Sequence, residues 1–284
     1  MKNLTTVMFG TAGIPVSCSG GSAEGIQCVR DLGLDAFEFE FVRGAKMGLP
    51  LARQCGEKAR ETNVSLSAHA PYYINLISED AEKARASVER VMQTARILSA
   101  AGGGRAVFHS GYYGKMEKEA AYKEMKQRFS QILEKIEGEK LDAVLAPETT
   151  GGAREFGSID ELLSLCREFG ANKVNLTIDF AHVHCREGKG WIKTSDDYAK
   201  IFGKVEKAIG KAGTQNFHSH FTGVKFSEKG EVRHLAIDSE SPPFRPLAEL
   251  LADQGYAGTI ISESPTIEAD ALKMSGIYGR ALKK

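Results

Sequence analysis

The chain predicts an α/β fold closed as a single (β/α)8 barrel, the TIM-barrel architecture, with residues 1–284 forming one domain. Three observations carry that expectation. Strand-like apolar runs alternate with helix-like ones eight times. No linker, internal repeat or low-complexity stretch interrupts them. Histidines and carboxylates end the strands from the second to the eighth; a barrel gathers such ends into one bowl, whereas a doubly wound open sheet would spread them over too wide a front.

The strands are expected at residues 6–10, 36–41, 64–68, 106–109, 143–147, 174–178, 216–221 and 258–262. Between them, apolar positions recur at three and four. Val88, Val91, Met92, Ala95 and Leu98 form one such face, Leu162, Leu163, Cys166 and Phe169 a second, and Ile201, Phe202, Val205 and Ile209 a third. Ser158-Ile159-Asp160-Glu161 offers a capping box at a helix start. Gly33, Gly102 to Gly104, Gly170, Gly213 and Gly255 stand where helices should end.

Hydrophobic content of 42% and charged content of 26% are ordinary for a globular protein with a large core. Formal net charge is zero, so a nucleic-acid surface would need local clusters of Lys and Arg. No apolar run approaches the ~20 residues that cross a bilayer, and the first residues lack a signal-peptide stretch. The five cysteines have no paired spacing and are expected as reduced thiols of a cytoplasmic protein. Cys185 alone adjoins the histidines and is the one that could touch metal.

All seven histidines fall at or just past strand-like runs, and none on an amphipathic helix. His69, His109, Glu148, Asp179, His182, His220 and Glu263 are expected in the bowl, with His234 in the loop after the seventh strand. Zinc takes nitrogen and oxygen ligands from whatever rigid elements point at one spot. A catalytic zinc needs three protein ligands, so eight candidates suit two or three ions rather than one. Glu148 lies mid-barrel and is the natural bridge, and Asp179 and His182 could both turn inward from one tight turn. His184 and His218 read either as groups that orient a ligand or as packing. Glu38 and Glu40 share one face of the second strand and could hold a cation or a polar substrate, or pair with Arg30 or Arg43.

These residues resemble the endonuclease IV family of apurinic/apyrimidinic endonucleases over almost the whole chain. His69-Ala70-Pro71-Tyr72-Tyr73-Ile74-Asn75-Leu76 is similar to the family's His-x-x-Tyr-x-x-Asn-Leu segment. Phe108-His109-Ser110-Gly111 resembles Phe-His-Pro-Gly, with Ser110 for Pro. Glu148-Thr149-Thr150-Gly151-Gly152, Asp179-Phe180-Ala181-His182 and Glu263-Ser264-Pro265 resemble Glu-x-x-x-Gly, Asp-x-x-His and Glu-Thr-Pro. The resemblance implies a first metal on His69, His109 and Glu148, a second on Glu148, Asp179, His220 and Glu263, and a third on His182 and His234. The family's third-site Asp precedes the last histidine by two residues; Val232 stands there, beside Glu231. Either Glu231 substitutes through a loop shift or the third site is weak or empty. His220-Phe221-Thr222-Gly223 also departs from the family's His-Leu-Asn-Asp.

The implied activity is cleavage of duplex DNA 5′ to an abasic site, leaving a 3′-hydroxyl, through a hydroxide bridging the metals. Glu148 and Glu263 would be the catalytic carboxylates. The cofactor would be two or three Zn2+, with Mn2+ tolerated at one oxygen-rich site. Tyr72 and Tyr73 from the third loop, and Arg43 or Lys46 from the second, would meet the damaged DNA. A monomer is expected, without membrane or organic cofactor. The alternative is a divalent-metal sugar isomerase or epimerase on the same barrel. It needs only Glu148, Asp179, His220 and Glu263, and the Glu38-Phe39-Glu40 strand suits it better. A barrel that binds without catalysing is a third reading.

Overall fold

The computed structural model describes residues 6–283. Eight parallel strands form one sheet: β1 (Val7–Ala12), β2 (Ala36–Glu40), β3 (Ser65–His69), β4 (Arg105–Phe108), β5 (Val144–Pro147), β6 (Thr177–Asp179), β7 (Phe217–Phe221) and β10 (Gly258–Ser262). Their order runs β5-β4-β3-β2-β1-β10-β7-β6. The seam between β5 and β6 is stitched by Leu145 N to Lys173 O at 3.0 Å, Asn175 N to Leu145 O at 2.9 Å and Thr149 N to Thr177 O at 3.0 Å. These bonds make the sheet a nearly closed barrel. They also explain why the regular part of β6 starts three residues later than its apolar run: the chain pairs at Val174, leaves the ladder, and rejoins it at Thr177.

The helices are α1 (Ser22–Asp31), α2 (Leu49–Thr62), α3 (Ala81–Ala100), α4 (Lys118–Gly138), α5 (Ile159–Phe169), α6 (Phe180–Cys185), α7 (Ser195–Ile209), α8 (Lys211–Thr214), α9 (Phe244–Gln254) and α10 (Glu268–Ala281). The predicted faces of α3 and α5 are the ones turned to the barrel, and Ile201, Phe202 and Val205 of α7 are buried likewise. The capping box of α5 is present, with Ser158 N donating to Glu161 Oε2 at 3.0 Å. Helix α7 ends at Gly210 with φ of 73°, three residues before the expected glycine, because Gly213 belongs to the short α8. Aromatic pairs such as Phe9 with Tyr278 and Phe108 with Phe129 fill the layer between strands and helices.

Register sorts the side chains. Glu38 pairs with Ser67, Glu40 with His69, Ser67 with Arg105, and His220 with both Asp179 and Ile261. One face of the sheet, the barrel interior, therefore carries Glu38, Glu40, Ser67, His69, Arg105, Asp179, His218 and His220. Gly10 keeps that interior narrow. A Cβ there would meet the Ala36 carbonyl oxygen at 2.1 Å, so β1 and β2 could not approach as they do.

Two local expectations are corrected. Cys18 and Cys28 form a disulfide (Cα–Cα 6.4 Å), so the thiols are not all reduced. The loop after β1 folds back along α1, an approach that a ten-residue spacing does not announce. Residues 223–235, expected as loop, form an antiparallel hairpin of β8 (Gly223–Ser227) and β9 (Gly230–Leu235), which puts His234 on a strand. Among the described residues, no helix is long and apolar enough to cross a membrane.

Candidate metal centre

The expected donors converge. Glu148, fully buried after β5, presents Oε2 to His69 Nε2 at 2.9 Å and to His109 Nε2 at 3.0 Å. Its Oε1 faces His220 Nδ1 at 3.2 Å and His182 Nδ1 at 3.3 Å. Glu263 Oε1 also stands 3.2 Å from His220 Nδ1. Donor atoms within 4.8 Å of one another form the sets His69–His109–Glu148, Glu148–Asp179–His220–Glu263 and His182–Glu231–His234. Glu148 belongs to the first two.

Asp179 and His182 are corrected in one respect. They sit on a helix start rather than a tight turn, because Asp179 caps α6 and accepts from His182 N at 2.7 Å through Oδ1. An Asp-x-x-His spacing is that of an N-cap and its third helical residue. His182 and His184 therefore lie on a short buried helix just past the end of β6. Capping consumes Oδ1 and leaves Oδ2 fully buried with no hydrogen-bond partner. An orphaned buried oxygen is costly unless something charged meets it.

The ring orientations fit metal ligation. Nδ1 of His69 lies 2.8 Å from Ala70 O, Nδ1 of His182 2.9 Å from Thr149 O, and Nδ1 of His234 3.0 Å from Glu263 O. A carbonyl oxygen only accepts, so each Nδ1 donates, and each Nε2 of the neutral ring turns a lone pair toward the cluster. His184 is the contrast. Its Nδ1 accepts from Ile192 N at 3.2 Å and its Nε2 meets Ser241 Oγ at 3.2 Å, which accounts for both nitrogens by packing. Cys185 is buried, points its Sγ at His182 O at 3.6 Å, and burial pushes its thiol up to about 12.

The third set answers the missing Asp. Lys225 pairs with Arg233 and Phe226 with Glu231, so Val232 is an extra residue in β9 opposite no partner. Residues three apart on a strand normally face opposite ways; a one-residue bulge brings them to one side. Glu231 thus reaches His182 Nε2 at 2.7 Å and His234 Nε2 at 3.1 Å, while Val232 is 56% exposed. Of the two expected alternatives, this is the one in which Glu231 comes to His182 and His234 by a shift; the shift is a bulge, which has no local signature in the sequence.

Two further acidic groups share the interior. Glu38 is fully buried between His218 and His220. Glu40 Oε1 is buried without a hydrogen-bond partner; desolvation raises its pKa well above the usual value, opposed by the nearby His69 and reinforced by Glu38 and Glu263. On the rim, Tyr72 and Tyr73 are exposed at 58% and 52%. Arg90 stacks on Tyr73 with 4.7 Å to the ring centroid, and Arg43 and Lys46 are exposed on the neighbouring loop. A cavity of about 730 Å³ opens at the opposite, N-terminal end of the barrel, where Ser67, Arg105 and His218 help to line it.

Without metal the cluster gathers protons. Burial opposes a charge on His69, but the carboxylates of Glu148, Glu40 and Glu263 together outweigh it and lift the ring to about 10. His234 rises to about 9 against burial, chiefly through Glu231. An incoming cation must displace those protons, so affinity should climb with pH up to about these values. Titrating Zn2+ into metal-free protein should release protons, seen as a calorimetric heat that changes with buffer ionisation enthalpy; a buffer-independent heat would contradict this.

Residues 26–278 match the family model described as Xylose isomerase-like TIM barrel. An uncharacterized protein of Methanocaldococcus jannaschii is 38% identical over 278 residues, 98% of this chain and 99% of that one. Two solved structures align equally well, each with a TM-score of 0.70. Endonuclease IV of Thermus thermophilus is 18% identical, covering 96% of this chain and 99% of its own. A D-tagatose 3-epimerase-like protein is 17% identical, covering 97% of each. Likeness at that identity speaks for the fold and leaves the chemistry to the site.

Proposed function

From the premise that this chain belongs to the xylose isomerase-like TIM barrel family, whose match spans most of it, we propose that it is a metal-dependent phosphodiesterase cutting duplex DNA 5′ to an abasic site. The observation that carries this reading is the third donor set, His182–Glu231–His234, beside the two that share Glu148. A single-metal isomerase has no use for it. Three neighbouring cations suit hydrolysis of a phosphodiester, in which the attacking, non-bridging and leaving oxygens all carry or gain negative charge.

Bound divalent zinc, with manganese an alternative at the oxygen-rich second site, would lower the pKa of water, neutralise phosphate charge and stabilise the leaving oxygen. Glu148 ties the first two donor sets together, since four imidazoles contact its two oxygens. Glu263, with 13% of its side chain exposed, is the carboxylate placed to accept the proton of the attacking water. His69, His109, Asp179 and His220 complete those sets. Tyr72 and Tyr73 are suited to stack where a base is missing, and Arg43 and Lys46 to meet the backbone phosphates. Attack of water on the phosphorus 5′ to the abasic site forms a P–O bond and breaks the P–O3′ bond; the leaving O3′ takes up a proton to give the 3′-hydroxyl, and the phosphate stays on the 5′ side of the abasic residue.

A second reading has a specific observation in its favour. Glu40 brings another carboxyl group to the interior beside His69, which repels phosphate when ionised and suits a polyhydroxylated sugar. The deciding experiment is incision of an end-labelled duplex containing one abasic analogue, before and after metal stripping, alongside a panel of free ketoses. Incision on the 5′ side that is lost with chelator and restored by Zn2+ or Mn2+ is expected. Epimerisation of a ketose by metal-loaded protein that leaves the duplex intact would overturn the proposal.

A further inference from the structure

Beneath the metal donors, Glu38 is held between two histidines of β7. Its Oε2 lies 2.9 Å from His218 Nε2 and its Oε1 2.7 Å from His220 Nε2. All three side chains are at most 4% exposed. The contact to His218 has hydrogen-bond geometry, whereas that to His220 is short but unaligned, so its hold on the ring is chiefly electrostatic.

His220 differs from the other oriented ligands. His69, His182 and His234 each donate Nδ1–H to a backbone carbonyl and offer Nε2. In His220 the roles are reversed: Nε2 faces the Glu38 carboxylate, and Nδ1 stands 3.2 Å from both Glu148 and Glu263. Carboxylates face both nitrogens, and in the metal-free cluster the aligned hydrogen bond is the one from Nδ1 to Glu148; a cation held by Glu148, Asp179 and Glu263 would take the Nδ1 lone pair and leave the ring proton on Nε2, where Glu38 attracts it. A charged acceptor also makes the ring a stronger donor than a carbonyl does. A buried carboxylate needs partners on both oxygens to hold its plane, and His218 supplies the second. Glu38, expected either to hold a cation or substrate or to pair with Arg30 or Arg43, meets His218 and His220 instead of an arginine, and the donor atoms of these three residues lie within 4.8 Å of one another. Neither Glu38 nor His218 reaches the bowl.

We propose that Glu38 and His218 are a positioning pair that fixes the tautomer and donor strength of His220, and so the grip of the Glu148–Asp179–His220–Glu263 set on its ion. This rests on the metal-centre part of the reading above, but not on the DNA substrate.

The test is Glu38→Gln, which keeps the shape and removes the charge, read by competition for Zn2+ against a chromophoric chelator. Affinity at one site should weaken about 10- to 100-fold, the others staying as in the wild type. His218→Gln, which keeps a donor for Oε2, should lose less than His218→Phe, and this series stands in should Glu38→Gln not fold. Unchanged zinc affinity in both Glu38→Gln and His218→Phe would overturn the pair. So would a lowered melting temperature of the metal-free variants with normal affinity, because that is plain packing. Incision is scored separately. A wild type that cuts no duplex while the variants lose zinc ends the nuclease reading alone; a cutting wild type with unaltered variants ends the positioning pair alone.

Discussion

Glu263→Gln should reduce single-turnover incision of an abasic duplex by about 10²- to 10⁴-fold, the range for removing a positioned acid or base. The substitution keeps size and hydrogen-bonding capacity but cannot take a proton from the attacking water. The fold should survive it. Glu263 lies just past β10, its N–H donates to Phe221 O at 3.3 Å through the backbone, and its side chain is the most open of the four donors in its set. Melting within a few degrees of the wild type and near-normal duplex binding are the expected companions. Incision by this variant at the wild-type rate would remove Glu263 from the chemistry.

Glu231→Ala should cost the protein one ion, lowering metal content from about three per chain to about two, since His182 and His234 alone offer fewer than the three protein ligands a zinc site needs. Elemental analysis after gel filtration reads this directly, and incision should fall with the lost ion. Excision of Val232 makes the complementary prediction. In an unbulged β9, Glu231 opposite Phe226 and His234 opposite Val224 would be two residues apart, which on a strand is the same face. The third ion should therefore be retained when Val232 is removed. Loss of an ion on excising Val232, with none lost in Glu231→Ala, would show that the bulge serves something other than this site.

The barrel was legible in the sequence because its evidence is local. Alternation of apolar runs with three-and-four periodicity requires only that each segment bury one face, and it located all eight barrel strands to within a few residues, with β6 the largest shift. The donors were legible for a related reason. His69, His109, Glu148, Asp179, His220 and Glu263 all end or follow barrel strands, and a parallel barrel points those ends into one bowl whatever surrounds them. The β8–β9 hairpin was missed because its strands are short and one is interrupted by an extra residue, which hides the period of two. The Cys18–Cys28 bridge was missed because proximity across a turn leaves no mark in spacing.

The order of the eight barrel strands and the histidines and carboxylates that end them were thus legible in the sequence alone, through patterns that span a few residues. The tertiary structure decided which ring nitrogens of His69, His182 and His234 face backbone carbonyls, that a bulge brings Glu231 to His182 and His234, and that Glu38 meets His218 and His220 rather than an arginine. Each of these depends on atoms brought together from distant strands: Glu38 meets His218 from 180 positions away, and His182 meets Glu231 across 49. Electrostatics and hydrogen bonding act over a few ångströms of space, and only the closed barrel says which residues share them.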